Sequence, residues 1–314
     1  MDRVPEALGE DLGRLAVLAG RSWSAAVLPG GLTNLNLRVR TDDDQEPRLD
    51  VVVRCSRGDP ALLGIDREVE HLNTVAAERA GVGAPVLEFR PELGILVIGF
   101  LPGRALVDAD FTDPEVMTRA AAAVRTLHRG ARFSSADPHR YGDMFARRAT
   151  YLATIRARGF RLPQDYQRYA EPWDDVRHAL AASARPTVPC NNDLLAANFI
   201  DDGVRTWLID YEYSGNNDAC FDLGNTVAEC GFTPEMTETW AAAYFGSPTT
   251  ADLARVRLQS LCSWYGWSLW GFIQAAVSPL EFDFWSWGME RFEKAQQAFA
   301  DPGFPRLLEE VAGG

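Results

Sequence analysis

The chain has 314 residues, 46% hydrophobic and 24% charged, a balance that excludes a disordered or fibrous polypeptide. Its 44 acidic residues outnumber 31 basic ones to give −13 at pH 7, which disfavours a nucleic-acid backbone as partner and suits a small or cationic one. Five cysteines without a C-x-x-C pair exclude a disulfide framework and a zinc cage, and with an acidic start lacking an apolar run they make a cytoplasmic setting the expectation.

In chain order, residues 24–27 and 35–39 are predicted strands joined through Pro29-Gly30-Gly31, followed by a polar loop at Asp42-Asp43-Asp44. The run Leu49-Asp50-Val51-Val52-Val53-Arg54 predicts a third strand. Over 63–79, Ile65, Val69, Leu72 and Val75-Ala76 recur at helical spacing. Residues 86–89 and 95–100 give two more strands. Leu101-Pro102-Gly103 then breaks the pattern, so a lobe boundary is expected there, dividing 1–101 from 102–314. Helices are expected over 114–128, 144–157 and 173–184. Phe199-Ile200 and Trp207-Leu208-Ile209 are short β-like pieces flanking the turn Asp201-Asp202-Gly203, and the chain from 222 to about 311 reads as mostly helical. Residues 258–280 carry no charge, yet Gln259, Ser260, Ser263, Ser268, Gln274 and Ser278 suit a buried amphipathic helix better than a lipid-facing one, so no membrane span is expected. The pattern is α+β, a small β-rich lobe followed by a larger, mostly helical one.

Three places carry chemistry, and their order matters more than any one of them. In Leu28-Pro29-Gly30-Gly31-Leu32-Thr33-Asn34-Leu35-Asn36, paired glycines between strands let backbone N–H groups approach a phosphate; a plain hairpin turn accounts for them equally well. In Asn191-Asn192-Asp193-Leu194-Leu195-Ala196-Ala197-Asn198 an Asp precedes an Asn by five positions, the spacing of proton-accepting carboxylate and metal-holding amide in kinase catalytic loops. Trp207-Leu208-Ile209-Asp210 is an apolar strand ending in Asp, the form of a second metal ligand, and also of an Asp that opens a turn. Asp210 lies twelve residues after Asn198, a gap that a tight hairpin bridges.

These segments resemble the choline and ethanolamine kinases, within the wider group of aminoglycoside-phosphotransferase-like kinases, from about Leu28 to Glu293. Gly30 to Asn36 is similar to the family's first loop, and Arg54 in Val-Val-Val-Arg stands at its ATP-lysine position. Arg67-Glu68 resembles the helix whose glutamate pairs with that base, with Glu70 an alternative on the same helix. Thr126-Leu127-His128 is similar to the family's Leu-His, and Cys190-Asn191-Asn192-Asp193 to its Cys-His-Asn-Asp, with Asn191 in place of His. Ile209-Asp210-Tyr211-Glu212-Tyr213-Ser214-Gly215, Phe221-Asp222-Leu223-Gly224-Asn225 and Glu229 match as well. Trp267-Ser268-Leu269-Trp270, Gln274-Ala275, Ser278, Glu281-Phe282 and Arg291-Phe292 resemble its C-terminal helices.

The resemblance implies a bilobal protein-kinase-like fold that binds ATP and Mg²⁺ between its lobes. It also implies γ-phosphoryl transfer to the hydroxyl of choline or a related amino alcohol, so the expected partner is a small cationic alcohol. Asp193 would orient and deprotonate that hydroxyl, and Asn198 and Asp210 would hold Mg²⁺. Gly30, Gly31 and Asn34 would cover the phosphates, and Arg54, held by Glu68, would contact the α- and β-phosphates. Trp267, Trp270 and Trp287 would form a cage for the ammonium, with Glu229 supplying opposite charge; Trp264 and Trp285 read as core. Asn191 is expected to keep the loop's hydrogen bonding. The expected assembly is a monomer or homodimer. An aminoglycoside or other natural-product hydroxyl as acceptor, or a non-catalytic nucleotide-binding homologue, stays open.

Overall fold

A computed structural model describes residues 6–41, 48–56, 58–134 and 143–314, so the Asp42-Asp43-Asp44 loop lies outside the described residues. Five antiparallel strands form the sheet of the first lobe: β1 (Trp23–Val27), β2 (Asn34–Thr41), β3 (Asp50–Ser56), β4 (Val86–Arg90) and β5 (Ile95–Gly99), in the order β1-β2-β3-β5-β4. Alternation along β3 sorts its side chains. Val51, Val53 and Cys55 join Leu37, Val39, Ile95 and Val97 on one face, which the first helix, α1 (Glu6–Gly13), helps cover through Leu12. Val52 and Arg54 take the other face and line a cleft. Helix α2 (Arg67–Arg79) connects β3 to β4, and the Asp66 side chain caps it by accepting from the backbone N–H groups of Glu68 and Val69.

The helical lobe follows with α3 (Pro114–His128), α4 (Met144–Arg158), α5 (Ala170–Ala182), α6 (Ala219–Glu229), α7 (Pro234–Phe245), α8 (Thr250–Val277), α9 (Phe284–Ala300) and α10 (Phe304–Ala312). Between α5 and α6 run four three-residue strands, β7 (Val188–Cys190), β8 (Phe199–Asp201), β9 (Thr206–Leu208) and β10 (Gly215–Asn217). β7 pairs with β10, and β8 pairs with β9 and with β6 (Arg104–Ala105). The uncharged stretch falls in α8, which differs from the expected amphipathic helix by being buried on nearly all sides. Leu258 through Gln274 is buried with the sole exception of Trp264, because α4, α6, α9 and α10 surround it. Among the described residues, no helix is long and apolar enough to cross a membrane.

Candidate active site

The loop between β7 and β8 is held from below by one buried carboxylate. Asp222, on the first turn of α6, accepts the backbone N–H groups of Asn191 and Asn192 at 2.9 and 2.7 Å. His128 Nε2 lies 3.0 Å from the same carboxylate. One turn further, Asn225 Oδ1 accepts from Leu194 N at 2.5 Å while its Nδ2 donates to Ser263 Oγ of α8 at 3.0 Å. The side chain of Asn191 donates to the carbonyls of Ile209 and Asp210 at 3.1 and 3.0 Å and accepts from Asp193 N, so it does keep the loop's hydrogen bonding. Asn192 sits at φ +67°, a conformation asparagine tolerates better than most residues.

This scaffold leaves the Asp193 carboxylate free, since no described residue donates a hydrogen bond to it. It opens on the cleft, but protein surrounds it closely. Burial first, then the charges of Asp210, Glu229 and Glu212, push its pKa well above the usual carboxylate range, and Arg147 opposes them. Its oxygens face the cleft, where a hydroxyl can donate to them.

The expected hairpin forms: β8 and β9 pair, and Ile209 N donates to Asn198 O at 3.0 Å. Asn198 Nδ2 donates to the Asp193 carbonyl at 2.7 Å, which leaves its amide oxygen for another partner. Asp210 follows at φ +65°, a strained conformation for a non-glycine residue. An amide oxygen and a carboxylate are hard donors that fit Mg²⁺, an ion that takes one or two carboxylates and fills its remaining positions with phosphate and water.

The sheet supplies a charge network. Arg54 Nη2 donates to Glu70 Oε1 at 3.1 Å and to Asp210 Oδ1 at 2.6 Å. Arg67 Nη1 donates to Glu70 Oε2 at 2.6 Å and to Glu212 Oε2 at 3.0 Å. The partner of Arg54 is therefore Glu70, and the expectation of Glu68 is corrected: helical geometry turns Glu68 to solvent and Glu70 inward. Glu212 also accepts from Thr33 Oγ1 at 2.7 Å and Asn34 Nδ2 at 2.9 Å, tying the glycine loop to the strand that ends in Asp210. Asn34 is thus corrected too. It is buried and does not line the cleft, because an amide withdrawn from water needs a partner and Glu212 provides one. Burial and the charges of Asp210 and Glu70 push the Glu212 pKa up to about 7, against Arg67 and Arg54. Gly30 and Gly31, at φ +91° and +85°, line the cleft, and a Cβ on Gly31 would meet Asn34 O at 2.8 Å.

The far wall of the cleft carries Trp267, Trp270 and Trp287, while Trp264 and Trp285 pack outside it. Trp270 and Trp287 tilt together with centroids 5.0 Å apart, and Trp270 Nε1 donates to Tyr213 Oη at 2.8 Å. Trp267 stands edge-on to Tyr213 at 4.9 Å, with the Arg147 guanidinium 5.4 Å from its ring centroid. Glu229 lines the same wall but already has a partner in Arg291. Glu212, Asn225 and Arg291 act here without having stood out in the sequence as site residues. The cue available was that all three lie inside motifs already singled out, while their partners are far away in sequence.

A cavity of about 510 Å³ joins the glycine turn, Asp193, Asn198, Asp210 and the tryptophan wall, a volume in the range of small-molecule and cofactor sites. The family described as choline/ethanolamine kinase matches residues 26–244. A probable ethanolamine kinase of Arabidopsis thaliana is 26% identical over 299 residues, covering 87% of this chain and 78% of its own. The crystal structure of a choline/ethanolamine kinase family protein from Mesorhizobium loti superposes with a TM-score of 0.84 at 31% identity, covering 98% of this chain and 99% of the other. LicA, a choline kinase of Streptococcus pneumoniae solved with AMP, shares the fold with a TM-score of 0.71 at 21% identity, covering 94% of this chain and 97% of its own.

Proposed function

The chain belongs to the choline/ethanolamine kinase family, phosphotransferases that act on an alcohol hydroxyl, and from that premise we propose that it transfers the γ-phosphoryl of ATP to choline or a related amino alcohol. Residues 1–101 form the nucleotide-binding lobe and 102–314 the catalytic and acceptor-binding lobe. The observation that carries this reading is the position of Asp193, whose unpaired carboxylate faces a cleft with the glycine turn on one side and the tryptophans on the other.

Magnesium-bound ATP, when present, supplies the transferable phosphoryl and neutralises its charge. The residues do the positioning. Asn198 and Asp210 would hold the ion through their oxygens, and the turn at Gly30-Gly31 would let backbone approach the phosphates. Arg54, held by Glu70, has a buried Nε without a partner among the described residues and would contact the α- and β-phosphates. Asp193 orients the acceptor hydroxyl and takes its proton. Trp267, Trp270, Trp287 and Glu229 line the end of the cleft where the ammonium would sit.

Purified protein with Mg²⁺ and ATP, offered choline, ethanolamine, its methylated derivatives and aminoglycosides, is expected to yield a phosphomonoester of an amino alcohol, read by phosphorus NMR. Product from aminoglycosides alone would assign the acceptor to another class, and failure to bind nucleotide at millimolar concentration would remove the activity altogether.

A further inference from the structure

The acceptor end of the cleft already holds a cation of the chain's own. Arg291, on α9, lays its guanidinium on the indole of Trp287 with Cζ 3.3 Å from the ring centroid. Its Nε donates to Glu229 Oε1 at 3.2 Å and its Nη2 to Glu229 Oε2. Both side chains are withdrawn from water, at 12% exposure for Arg291 and 8% for Glu229, and both line the cleft with Trp287 and Trp270.

Two kinds of ammonium need different things from such a wall. A trimethylammonium has no N–H to donate and is held by aromatic faces and by attraction to a nearby anion. A primary ammonium has three N–H donors and needs oxygens. A carboxylate offers about four lone-pair directions, so Glu229 can accept a further N–H while Arg291 stays in place. The Trp287 face is different: with a planar cation 3.3 Å above it, it cannot receive a methylated ammonium until that cation leaves. An arginine is suited to this double engagement, because its flat fork stacks on a ring and reaches both oxygens at once, which a lysine point charge does not.

We propose that Arg291 determines acceptor specificity: by covering the Trp287 face and engaging Glu229, it handicaps quaternary ammonium acceptors against primary ones, so the protein favours ethanolamine-like over choline-like amino alcohols. The inference rests on the amino-alcohol reading above and sharpens it.

The test compares wild type with Arg291→Lys and Arg291→Ala. It measures kcat/KM for choline and for ethanolamine, and separately the affinity for tetramethylammonium by tryptophan fluorescence, which needs no turnover. Arg291→Lys keeps a charge opposite Glu229 but uncovers the indole. It is expected to raise the choline-to-ethanolamine ratio of kcat/KM, and the tetramethylammonium affinity, by about three- to thirtyfold, the span of one cation–aromatic contact. Arg291→Ala should move both in the same direction, but it leaves Glu229 buried without a partner and can cost folding, so the lysine variant decides. A ratio and an affinity that stay at wild-type values in Arg291→Lys, or that fall, overturn the role of Arg291. Wild type that phosphorylates neither amine overturns the amino-alcohol reading instead, and the tetramethylammonium titration still judges Arg291.

Discussion

Burial and the acidic groups around it raise the Asp193 pKa, and its backbone is fixed by Asn191, Asn198 and, through the neighbouring amides, Asp222. On the proposed role, Asp193→Asn preserves shape and removes the base, so kcat is expected to fall about 10²- to 10⁴-fold while nucleotide affinity, read by calorimetry, stays near wild type. Turnover within a few fold of wild type would assign the proton to another group. Glu212 does different work at the same scale, receiving Thr33 and Asn34 from the glycine loop and Arg67 from α2. In Glu212→Gln one acceptor oxygen becomes an N–H donor facing Arg67, and a charge-assisted bond worth about 1.5–3 kcal/mol is lost. The KM for ATP should rise roughly ten- to a hundredfold and the KM for the acceptor much less. The reverse split would show that Glu212 serves the acceptor end instead.

At the scale of elements, α6 and α8 touch backbone to backbone at Gly224, where an added Cβ would meet Ser260 N at 2.6 Å and Val256 O at 2.7 Å. Neither atom can yield without moving a helix. Gly224→Ala should therefore cost about 1–3 kcal/mol of stability, seen as an earlier urea midpoint, and should lower kcat as well because Asn225 on the same turn holds the Asp193 loop. A variant with wild-type midpoint and kcat would mean the helices part easily. Much of this framework was legible in the chain. Asp193, Asn198 and Asp210 stand within eighteen residues, so local spacing and the β8–β9 hairpin reveal their grouping. The strands of the first lobe announce themselves by β-branched runs. β7 and β10 do not, because Val188-Pro189-Cys190 contains a proline and Gly215-Asn216-Asn217 has no apolar residue; only their pairing across the catalytic loop makes them strands. Glu68 and Glu70 share the first turn of α2, and which one meets Arg54 depends on how that helix docks, which no local pattern encodes. The Glu229–Arg291 pair spans 62 residues and was invisible for the same reason.

Across the whole molecule, the acidic trio Glu70, Asp210 and Glu212 is paired with Arg54 and Arg67. Chelating Mg²⁺ with EDTA is therefore expected to stop phosphoryl transfer and to leave the melting temperature of the nucleotide-free protein unchanged. Mg²⁺ with ATP at a hundred times Kd should stabilise it by about 2.7 kcal/mol, visible as a rise in Tm. A melting temperature that drops on chelation alone would mean that a divalent ion is part of the fold. The side chain of Asn225 ties the Asp193 loop to α8, the helix that also carries Trp267 and Trp270, whereas among the described residues α9 makes no hydrogen bond to that loop. The two walls around the acceptor thus differ in how freely they can drift over generations. On the proposed roles, a changed side chain on α8 should disturb the Asp193 loop along with the pocket, and selection should hold it nearly constant. On the same proposed roles, a change on α9, at Trp287 or Arg291, should alter which molecule is admitted more than it alters the reaction, so lineages that come to use a new acceptor should carry their differences there.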